Sequence, residues 1–353
     1  MPLGWLGPGR LVEDVVVVLH GGRVAFAGTA REYVVARAAA DPDPRTGRAA
    51  LEPDEVLRVD GFVMPGVADR HVHIGLSDAA AVLAGGVTSV RDLGWPADAI
   101  FPLAAASEGP SFAGALVRAT GPILTCHGGY PTAAAWAPPG TGLVVRGPEE
   151  AAAAARWVLA RSSLGVVKMA MNGEAGPVLS DEELVAICDA THAAGAIVTA
   201  HVQGRGEAAR AFGAGVDEFA HAPWSERLPD DLVGAMARRM RMVSTLDIHS
   251  RGRDTPELRT ALDNLARFAA AGGPVVYGTD LGNGPLPAGI HVGEAWHLLR
   301  AGLPHERILQ AMTFRPLAPG EPGDVVVLEG SPLEDLNALS RPAAVFRGGR
   351  RTR

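Results

Sequence analysis

The pattern of apolar and polar positions differs between the two ends of the chain and its middle. Near the N-terminus two short apolar runs are joined by a Gly-Gly turn, in DVVVVLHGGRVAFAG over residues 14–28. Residues 324–349, with DVVVLEG followed by AAVFRGG, repeat this style. A strand, a glycine-rich turn and a second strand predict a β-hairpin. We therefore expect a small β unit built from both ends of the chain.

Between the ends, short β-branched runs alternate with alanine-rich stretches. This alternation predicts βα units around a parallel sheet. The candidate strands end near residues 73, 92, 120, 169, 201, 221, 246 and 280. The sequence thus predicts an α/β fold in which residues 59–318 form a (β/α)8 TIM barrel, while residues 1–58 and 319–353 form a small β-sandwich.

Two of the intervening helices have recognisable boundaries. Ser180 precedes a run of acidic residues, which predicts a capped helix over 181–194, and Gly195 follows that helix. A second helix is predicted over residues 255–271.

The connection over residues 121–147 is much longer than an ordinary βα loop. It is rich in Gly and Pro and contains Tyr130 and Trp136. A long loop on the catalytic face of a barrel is often a lid or a specificity wall. The alternative is a disordered surface insertion.

Composition narrows the classes of partner. The chain has 353 residues, a formal charge of −7 and a pI near 5.9, and its basic residues cluster only in 347–353, which we expect to be solvated. These values argue against binding to nucleic acid or to an anionic membrane, and they leave a small molecule as the expected substrate. Barrels of this kind often form homo-oligomers, but no feature of the sequence fixes the oligomeric state.

Cysteine content and the N-terminal region bear on location. Only Cys126 and Cys188 are present, too few for a disulfide framework. The first twenty residues lack a signal-peptide pattern, and no apolar run approaches the length of a membrane span. We expect a soluble, cytoplasmic protein.

The candidate chemistry begins with His71 and His73. Residues two apart on a strand point to the same face, so these two imidazoles can bind one metal ion. A lone pair of this kind is equally consistent with two hydrogen-bonded structural histidines.

Other polar residues also end apolar strands. His201 follows IVTA, His221 follows DEFA, and Asp280 ends VVYGTD. In a parallel barrel these strand ends meet at one rim, so four histidines and a carboxylate would converge there. This convergence predicts a metal site.

Lys168 lies inside the apolar strand GVVKMAMNG. A buried ammonium needs a partner or a chemical change. Carbon dioxide can add to the amine and give a carbamate, whose two oxygens can bridge two divalent ions. The alternative is a buried lysine paired with Asp280 or Glu174.

Taken in order, these segments resemble the amidohydrolase superfamily, close to its imidazolonepropionase and Xaa-Pro dipeptidase (prolidase) branch. The matching pieces are MPGVADRHVH, VTSVRDLG, VVKMAMNGEAG, VTAHVQG, DEFAHAPW, VSTL and YGTDLG, and GGRVAFAG and GDVVVLEGSPLEDL resemble the family's composite β-sandwich. After AMTFRPLA only PGEP intervenes before the last of these strands, so we expect an abbreviated sandwich.

The resemblance implies a binuclear metal centre. His71, His73 and Asp280 would bind one ion, His201 and His221 the other, and carboxylated Lys168 would bridge the two. Zinc is the metal that this ligand set favours, with manganese, cobalt and iron as alternatives. A hydroxide held between the ions would attack the carbonyl of a small amino-acid-derived amide, a dipeptide or a cyclic amide. Asp280 would move the proton to the leaving nitrogen.

Several residues near the predicted rim are weaker candidates. His127, Tyr130 and His249 could contact substrate, or they could be ordinary loop residues. Asp69, Arg91 and Asp92 are expected to form a structural ion pair or to orient the metal ligands through their second nitrogens. Surface or packing roles are expected for the remaining histidines, His20, His192, His291, His297 and His305.

Three other functions remain open. A mononuclear deaminase would use a single ion and would not need Lys168. A metal-dependent cyclase or lactone hydrolase would apply the same ions to a different reaction. A non-enzymatic binding module would have lost ligands, whereas all six positions are present here.

Overall fold

The computed structural model describes residues 2–40, 51, 53, 55–250 and 252–353. Its strands are β1 (Leu3–Trp5), β2 (Leu11–Glu13), β3 (Val15–His20), β4 (Arg23–Thr29), β5 (Phe62–Pro65), β6 (Val67–Val72), β7 (Val87–Asp92), β8 (Leu116–Ala119), β9 (Ile123–Cys126), β10 (Gly142–Val145), β11 (Val166–Asn172), β12 (Ile197–Gln203), β13 (Glu218–Phe219), β14 (Arg241–Val243), β15 (Val275–Val276), β16 (Val325–Leu328), β17 (Pro342–Arg347) and β18 (Arg350–Arg351). Its α-helices are α1 (Ala30–Ala39), α2 (Ala79–Ala84), α3 (Ala97–Ser107), α4 (Gly147–Leu159), α5 (Asp181–His192), α6 (Glu207–Ala214), α7 (Asp230–Arg239), α8 (Asp247–Ser250), α9 (Pro256–Ala270), α10 (Val292–Arg300) and α11 (His305–Met312).

The two ends of the chain form a β unit, as their patterns predict. A six-stranded sheet has the order β18-β17-β16-β5-β1-β2, and β3 and β4 form the predicted hairpin. Gly21 and Gly22 turn this hairpin with φ of +56° and +81°, which side chains disfavour. A separate group of buried apolar residues, including Val15, Val63 and Val325, forms the core of this unit.

The predicted division into segments 1–58, 59–318 and 319–353 stays a prediction. Residues 41–50, within the first segment, lie outside the described residues. Strand β5 lies in the terminal sheet, between β1 and β16. The β-sandwich also stays a prediction.

The middle of the chain consists of parallel strands alternating with helices. Strands β6, β7 and β8 form one parallel sheet, and β10-β9-β11-β12-β13-β14-β15 form another. The first and last strands of this region are also joined, because the Asp280 amide donates to the His71 carbonyl at 2.8 Å and the His73 amide to the Leu281 carbonyl at 2.7 Å. The fold is a TIM-barrel-like α/β arrangement, and complete closure into eight regular strands remains a prediction.

The predicted helices have clear local causes. Helix α5 begins with the expected Ser180 cap, which is reinforced by a capping box because the Glu183 side chain accepts from the Ser180 amide at 2.8 Å. Gly195, with φ of +68°, follows the helix. Helix α9 begins after Thr255, whose hydroxyl accepts from the Leu258 amide at 3.0 Å.

The connection over residues 121–147 contains regular structure. It includes β9, which pairs with β11, and β10, which runs parallel to β9. A disordered insertion is therefore the wrong description. The segment between these strands carries Tyr130 and Trp136 toward the catalytic rim.

The expectation of a solvated basic tail is wrong for Arg347, which is half-buried, whereas Arg353 is exposed as expected. The Arg347 guanidinium donates to the carbonyls of Gly114 (2.9 Å) and Ser107, and Arg353 donates to the Ala84 carbonyl at 3.1 Å. Ser107 and Ala84 end helices α3 and α2. Arginine is favourable there because the last carbonyls of a helix lack intrahelical donors. The terminal β unit is thereby tied to the outer helices.

None of the helices in the described part of the chain is long and apolar enough to cross a membrane.

Candidate metal centre

All six predicted metal ligands line one cavity of about 810 Å³. His71 and His73 lie at the end of β6 and directly after it, and Lys168 and His201 lie within β11 and β12. His221 and Asp280 lie in the segments that follow β13 and β15. The parallel strands run in the same direction, so their carboxyl ends bring these side chains to one rim. The six predicted ligands are His71, His73, Lys168, His201, His221 and Asp280.

His71, His73 and Asp280 form the tightest group. Their potential ligand atoms all lie within 4.8 Å of one another. Asp280 Oδ1 lies 3.2 Å from His71 Nε2 and 3.3 Å from His73 Nε2.

The hydrogen bonds of the two rings determine which nitrogen faces Asp280 as an acceptor. His71 Nδ1 lies 2.7 Å from the Ala220 carbonyl oxygen, and His73 Nδ1 lies 3.0 Å from that of Gly94. A carbonyl can only accept, so Nδ1 carries the hydrogen and Nε2 of a neutral ring has a lone pair. Two lone pairs and a carboxylate oxygen then face one another, an arrangement that either a proton on one Nε2 or a metal cation between the three groups would stabilise.

Asp280 is held as an anion. Burial raises the pKa of its carboxyl, but positive charge on His71 and His73, together with the hydrogen bond from Asn283, outweighs burial and holds the pKa well below its ordinary value. Asn283 donates to the other oxygen, Oδ2, at 3.0 Å. The backbone of Asp280 has φ of +61°, an uncommon conformation for a residue other than glycine.

Lys168, His201 and His221 lie beside this group. The rings of His71 and His221 are 4.5 Å apart and those of His201 and His221 are 4.9 Å apart, measured between centroids. His221 Nδ1 lies 2.9 Å from the Thr245 hydroxyl. Burial, followed by the charge of Lys168, lowers the pKa of His201 to about 3, so its ring is the neutral form that binds metals.

Lys168 is buried without the partner that an ammonium requires. The side chain is 1% exposed, and among the described residues Nζ has no hydrogen-bond partner. Neither Asp280 nor Glu174 hydrogen-bonds to Nζ within that part of the chain, whereas the charge of Asp280 acts on Lys168 and raises its pKa against burial. Burial lowers the pKa of Lys168 to about 7. His201 Nε2 is a second buried atom without such a partner in the same residues.

These unpartnered atoms test whether a metal fits. A set of imidazole nitrogens and a carboxylate oxygen suits zinc and similar divalent ions. Buried polar atoms are rarely left without partners, so their concentration at one rim is best explained by a ligand that they bind. The donor set fits one ion at His71, His73 and Asp280, and it offers His201 and His221 to a second.

Asp69 and Asp92 support the site differently from the expectation. Asp69 accepts from the amides of His71 and Thr279 at 3.1 Å each. Asp92 accepts from the Ile74 amide at 2.7 Å and the Gly94 amide at 3.0 Å. The two aspartates hold the backbone on either side of the ligands, whereas the second ring nitrogens of His71 and His73 bind carbonyls.

The expectation of an ion pair is met by Arg91. Its guanidinium donates to both oxygens of the buried Glu218 carboxylate, at 2.6 and 3.3 Å. Both side chains are almost fully buried.

Aromatic side chains enclose the centre. The Tyr130 ring stacks on His201 with centroids 4.9 Å apart, and Trp136 lies 4.3 Å from His73. The Trp136 indole donates to the Tyr130 hydroxyl at 3.0 Å. The predicted connection over 121–147 thus supplies part of the cavity wall.

Of the three weaker candidates, the structure brings Tyr130 and His249 to the cavity. His127 is exposed and does not line it. The His249 ring packs 4.4 Å from Trp224. Sequence reasoning missed Trp224 and Arg253 as cavity residues; Trp224 could have been suspected because it follows His221 by three residues on the same strand-end segment.

Residues 62–352 match the sequence profile of the amidohydrolase family. The chain belongs to this family. The resemblance seen in the sequence is confirmed, and with it the enzyme class, a hydrolase acting on carbon–nitrogen bonds. A search of curated proteins finds no match to this amidohydrolase.

Several solved structures share the fold of this amidohydrolase. Ochratoxinase from A. niger superposes with a TM-score of 0.80 at 20% identity, over 99% of this chain and 93% of that one. A Xaa-Pro dipeptidase with bound methionine gives 0.77 at 19% identity, over 99% and 97%. A putative prolidase from Bifidobacterium longum gives 0.73 at 23% identity, over 97% and 90%. At these identities the likeness shows the fold alone.

Proposed function

We propose that this amidohydrolase belongs to the prolidase-like branch and hydrolyses the amide bond of a small amino-acid-derived substrate, such as an N-acyl amino acid, a dipeptide or a cyclic amide. The observation that carries the proposal is the convergence of two imidazole lone pairs on the carboxylate oxygen of Asp280. Acceptors in contact need a cation, and a divalent ion at the rim of this fold is the basis of hydrolysis in the family.

The proposed cofactors are two divalent ions, with zinc the first choice. His71, His73 and Asp280 would hold one ion, and His201 and His221 the other, with Lys168 shared between them. Ions bound in this way lower the pKa of a water molecule and polarise a carbonyl group. The residues of the chain provide the remaining functions: they bind the amide, exclude bulk water and move one proton.

We further propose that Lys168 is carboxylated. The ammonium first loses one proton to solvent. The neutral amine nitrogen then attacks carbon dioxide, a nitrogen–carbon bond forms as one carbon–oxygen π bond breaks, and a second proton passes from the nitrogen to solvent. The product is a monoanionic carbamate. This change replaces a buried cation that lacks a hydrogen-bond partner among the described residues by an anion suited to metal ions.

Asp280 is proposed to carry the proton from water to the leaving nitrogen. Its Oδ2 is held by Asn283, which leaves Oδ1 facing the reaction centre. A carboxylate fixed by an amide on one oxygen keeps the other oriented for proton transfer. Asp280→Asn would keep the shape of the side chain and remove its capacity to accept this proton.

The cavity wall favours a substrate with an apolar or aromatic group and a carboxylate. Tyr130, Trp136 and Trp224 supply flat apolar surface, and Arg253 lines the same cavity. Within the part of the chain that the structure describes, no carboxylate forms an ion pair with the Arg253 guanidinium. Arginine binds carboxylates well because two parallel hydrogen bonds fit its planar group.

The test is hydrolysis by protein loaded with zinc and bicarbonate. The panel contains N-acetyl-L-phenylalanine, dipeptides, cyclic ureides and lactones, and Lys168→Ala protein is the blank. We expect release of acetate or free amino acid by the wild type and metal content of up to two ions per chain. Metal-free protein with unmodified Lys168 after such loading would refute the proposal.

The same panel separates the competing chemistries. Ammonia release with a single bound ion would indicate a deaminase. Turnover confined to lactones would indicate a cyclase or lactone hydrolase. Retention of full activity by Asp280→Asn would show that the proton route is wrong.

A further inference from the structure

Three polar residues lie along one side of α10 and of the residue that precedes it, away from the predicted ligands. His291, Glu294 and His297 are spaced three apart, in the sequence HVGEAWH, so they share a helix face. Glu294 is fully buried and His297 is 9% exposed. The expectation of surface or packing roles for the two histidines does not explain why two buried ionisable groups and the partly buried His291 lie together.

All three side chains bind the segment that follows β14. The Glu294 carboxylate accepts from the amides of Leu246 and Asp247 at 3.0 and 2.8 Å. The Asp247 carboxylate in turn lies 2.6 Å from His291 Nε2 and 2.8 Å from His297 Nε2. Burial lowers the pKa of His291, but the bond to Asp247 outweighs it and raises the pKa above its ordinary value.

The segment that follows β14, which contains the short helix α8, needs contacts with other parts of the chain to be stable. Helix α8 has four residues, and one helical turn is not stable by itself in water. The amide groups at a helix start also have no intrahelical acceptors. Glu294 supplies the acceptor for two of these amides, and the two histidines fix the first side chain of the turn. Helix α10 therefore determines where α8 lies.

Helix α8 forms part of the cavity wall. Ile248 and His249 both line the cavity. The His249 ring lies 4.4 Å from Trp224, which in turn lies 5.4 Å from His221 and 5.6 Å from His201. A contact path thus runs from α10 through α8 to two of the predicted metal ligands.

We propose that His291, Glu294 and His297 are positioning residues that hold α8, and with it Ile248 and His249, as one wall of the substrate-binding site. They contact no reacting group. The inference rests on the proposed function, because it assigns this wall to binding the amide substrate. Loosening the wall weakens contacts made in the ground state and the transition state alike, so KM rises while kcat changes little.

The principal variant is His297→Gln, and the matched control is His192→Gln. His192 also binds an aspartate through Nε2, Asp217 at 2.9 Å, but Asp217 precedes β13 at the opposite end of the strands. Two measurements are made on full-length, zinc-loaded protein. One is the steady-state hydrolysis of N-acetyl-L-phenylalanine, and the other is hydrogen exchange of the backbone amides of residues 246–253, which needs no activity.

We expect His297→Gln to raise KM about five- to tenfold with kcat within about twofold, and to speed exchange in residues 246–253 selectively. His192→Gln should leave KM and the exchange of this segment unchanged. An Asp247→Ala and His249→Ala double-mutant cycle should be non-additive in KM, because both changes disrupt the same wall.

The outcomes are distinguishable. Unchanged exchange in His297→Gln overturns the inference, and so does faster exchange with an unchanged KM. If wild-type protein hydrolyses no member of the panel, the proposed function fails and the assignment of α8 to substrate binding fails with it. Exchange would then still decide whether α10 holds α8.

Discussion

The buried ion pair between Arg91 and Glu218 provides a prediction that does not depend on substrate. The Glu218 carboxylate accepts hydrogen bonds from the Arg91 guanidinium at 2.6 and 3.3 Å and from the Arg241 guanidinium at 2.7 Å. The side chains of Glu218 and Arg91 are 1% and 5% exposed, whereas that of Arg241 is 40% exposed. Glu218→Gln removes the negative charge with little change of shape and leaves the Arg91 charge buried.

The size of the expected loss in unfolding free energy depends on which arginine charge remains buried after the Glu218→Gln substitution. Breaking a buried pair by removing one partner costs about 3–5 kcal/mol, because the remaining charge is uncompensated. Arg241 can be solvated, so the cost falls mainly on Arg91. The glutamine oxygen still accepts one hydrogen bond. We therefore expect Glu218→Gln to lower the free energy of unfolding by about 3 kcal/mol, the lower end of that range.

The assay is urea unfolding of the two proteins at neutral pH, analysed with the same m-value. Glu108→Gln is the matched control, because Glu108 pairs with Arg118 at 2.6 Å but the two side chains are 54% and 39% exposed. Glu108→Gln should lower the free energy of unfolding by less than about 1 kcal/mol. If Glu218→Gln also lowers the free energy of unfolding by less than about 1 kcal/mol, the buried pair is not a stabilising element.

The pH dependence of this difference has a defined sign. Burial raises the pKa of Glu218, but Arg91 and Arg241 outweigh it and hold the pKa below its ordinary value near 4.5. A carboxyl with a depressed folded pKa stabilises the protein fully above its unfolded pKa and loses that contribution as pH falls through the folded value. The gap between wild type and Glu218→Gln should therefore shrink on acidification below about pH 4.5. A gap that stays constant would contradict the assignment.

Three further predictions concern the centre, the substrate and the chain end. Zinc with bicarbonate should raise the unfolding temperature of the wild type, with a gain of about 2.7 kcal/mol at a hundredfold excess over Kd, and Lys168→Ala should show a smaller gain in calorimetry. Arg253→Gln should reduce kcat/KM for N-acetyl-L-phenylalanine about three- to tenfold but not that for its carboxamide, measured as acetate release; an equal fall for both would exclude carboxylate recognition. Arg347→Ala should lower the free energy of unfolding by about 1–3 kcal/mol in urea, since three carbonyl groups lose a charged donor, whereas Arg350→Ala, at an exposed position, should change it by less than about 0.5 kcal/mol.

Features set by short stretches of sequence could be predicted. The capping box of Ser180 and Glu183 needs residues three apart, and the hairpin around Gly21 and Gly22 needs two glycines between apolar runs. The predicted ligands were found for a similar reason. The predicted histidine ligands and Asp280 end apolar runs, whereas Lys168 was singled out as a charged residue inside one. Parallel strands place their ends together without further information.

Features that depend on strand register could not be predicted. The carbonyl that fixes the His71 ring belongs to Ala220, which is 149 residues away, and the partner of Arg91 is 127 residues away. Neither contact has a local signal, since it exists only when particular strands lie side by side. The same holds for Arg347, whose acceptors are carbonyls more than 230 residues earlier.

The unpredicted contacts are what give the predicted ligands their chemistry. Two histidines beside an aspartate could form an ordinary hydrogen-bonded cluster if a ring donated through Nε2. The carbonyls of Ala220 and Gly94 prevent this for a neutral ring, because each already takes the Nδ1 hydrogen. The lone pairs of His71 and His73 are left facing the anionic Asp280, and only an added proton or a metal ion relieves the arrangement. Burial lowers the pKa of His71 and so disfavours the proton there. Burial also lowers the pKa of His73, but the neighbouring Asp280 outweighs it and raises this pKa, so a proton is favoured at that ring. A divalent cation fits between the three groups without a proton on either ring, and it is the occupant that we propose.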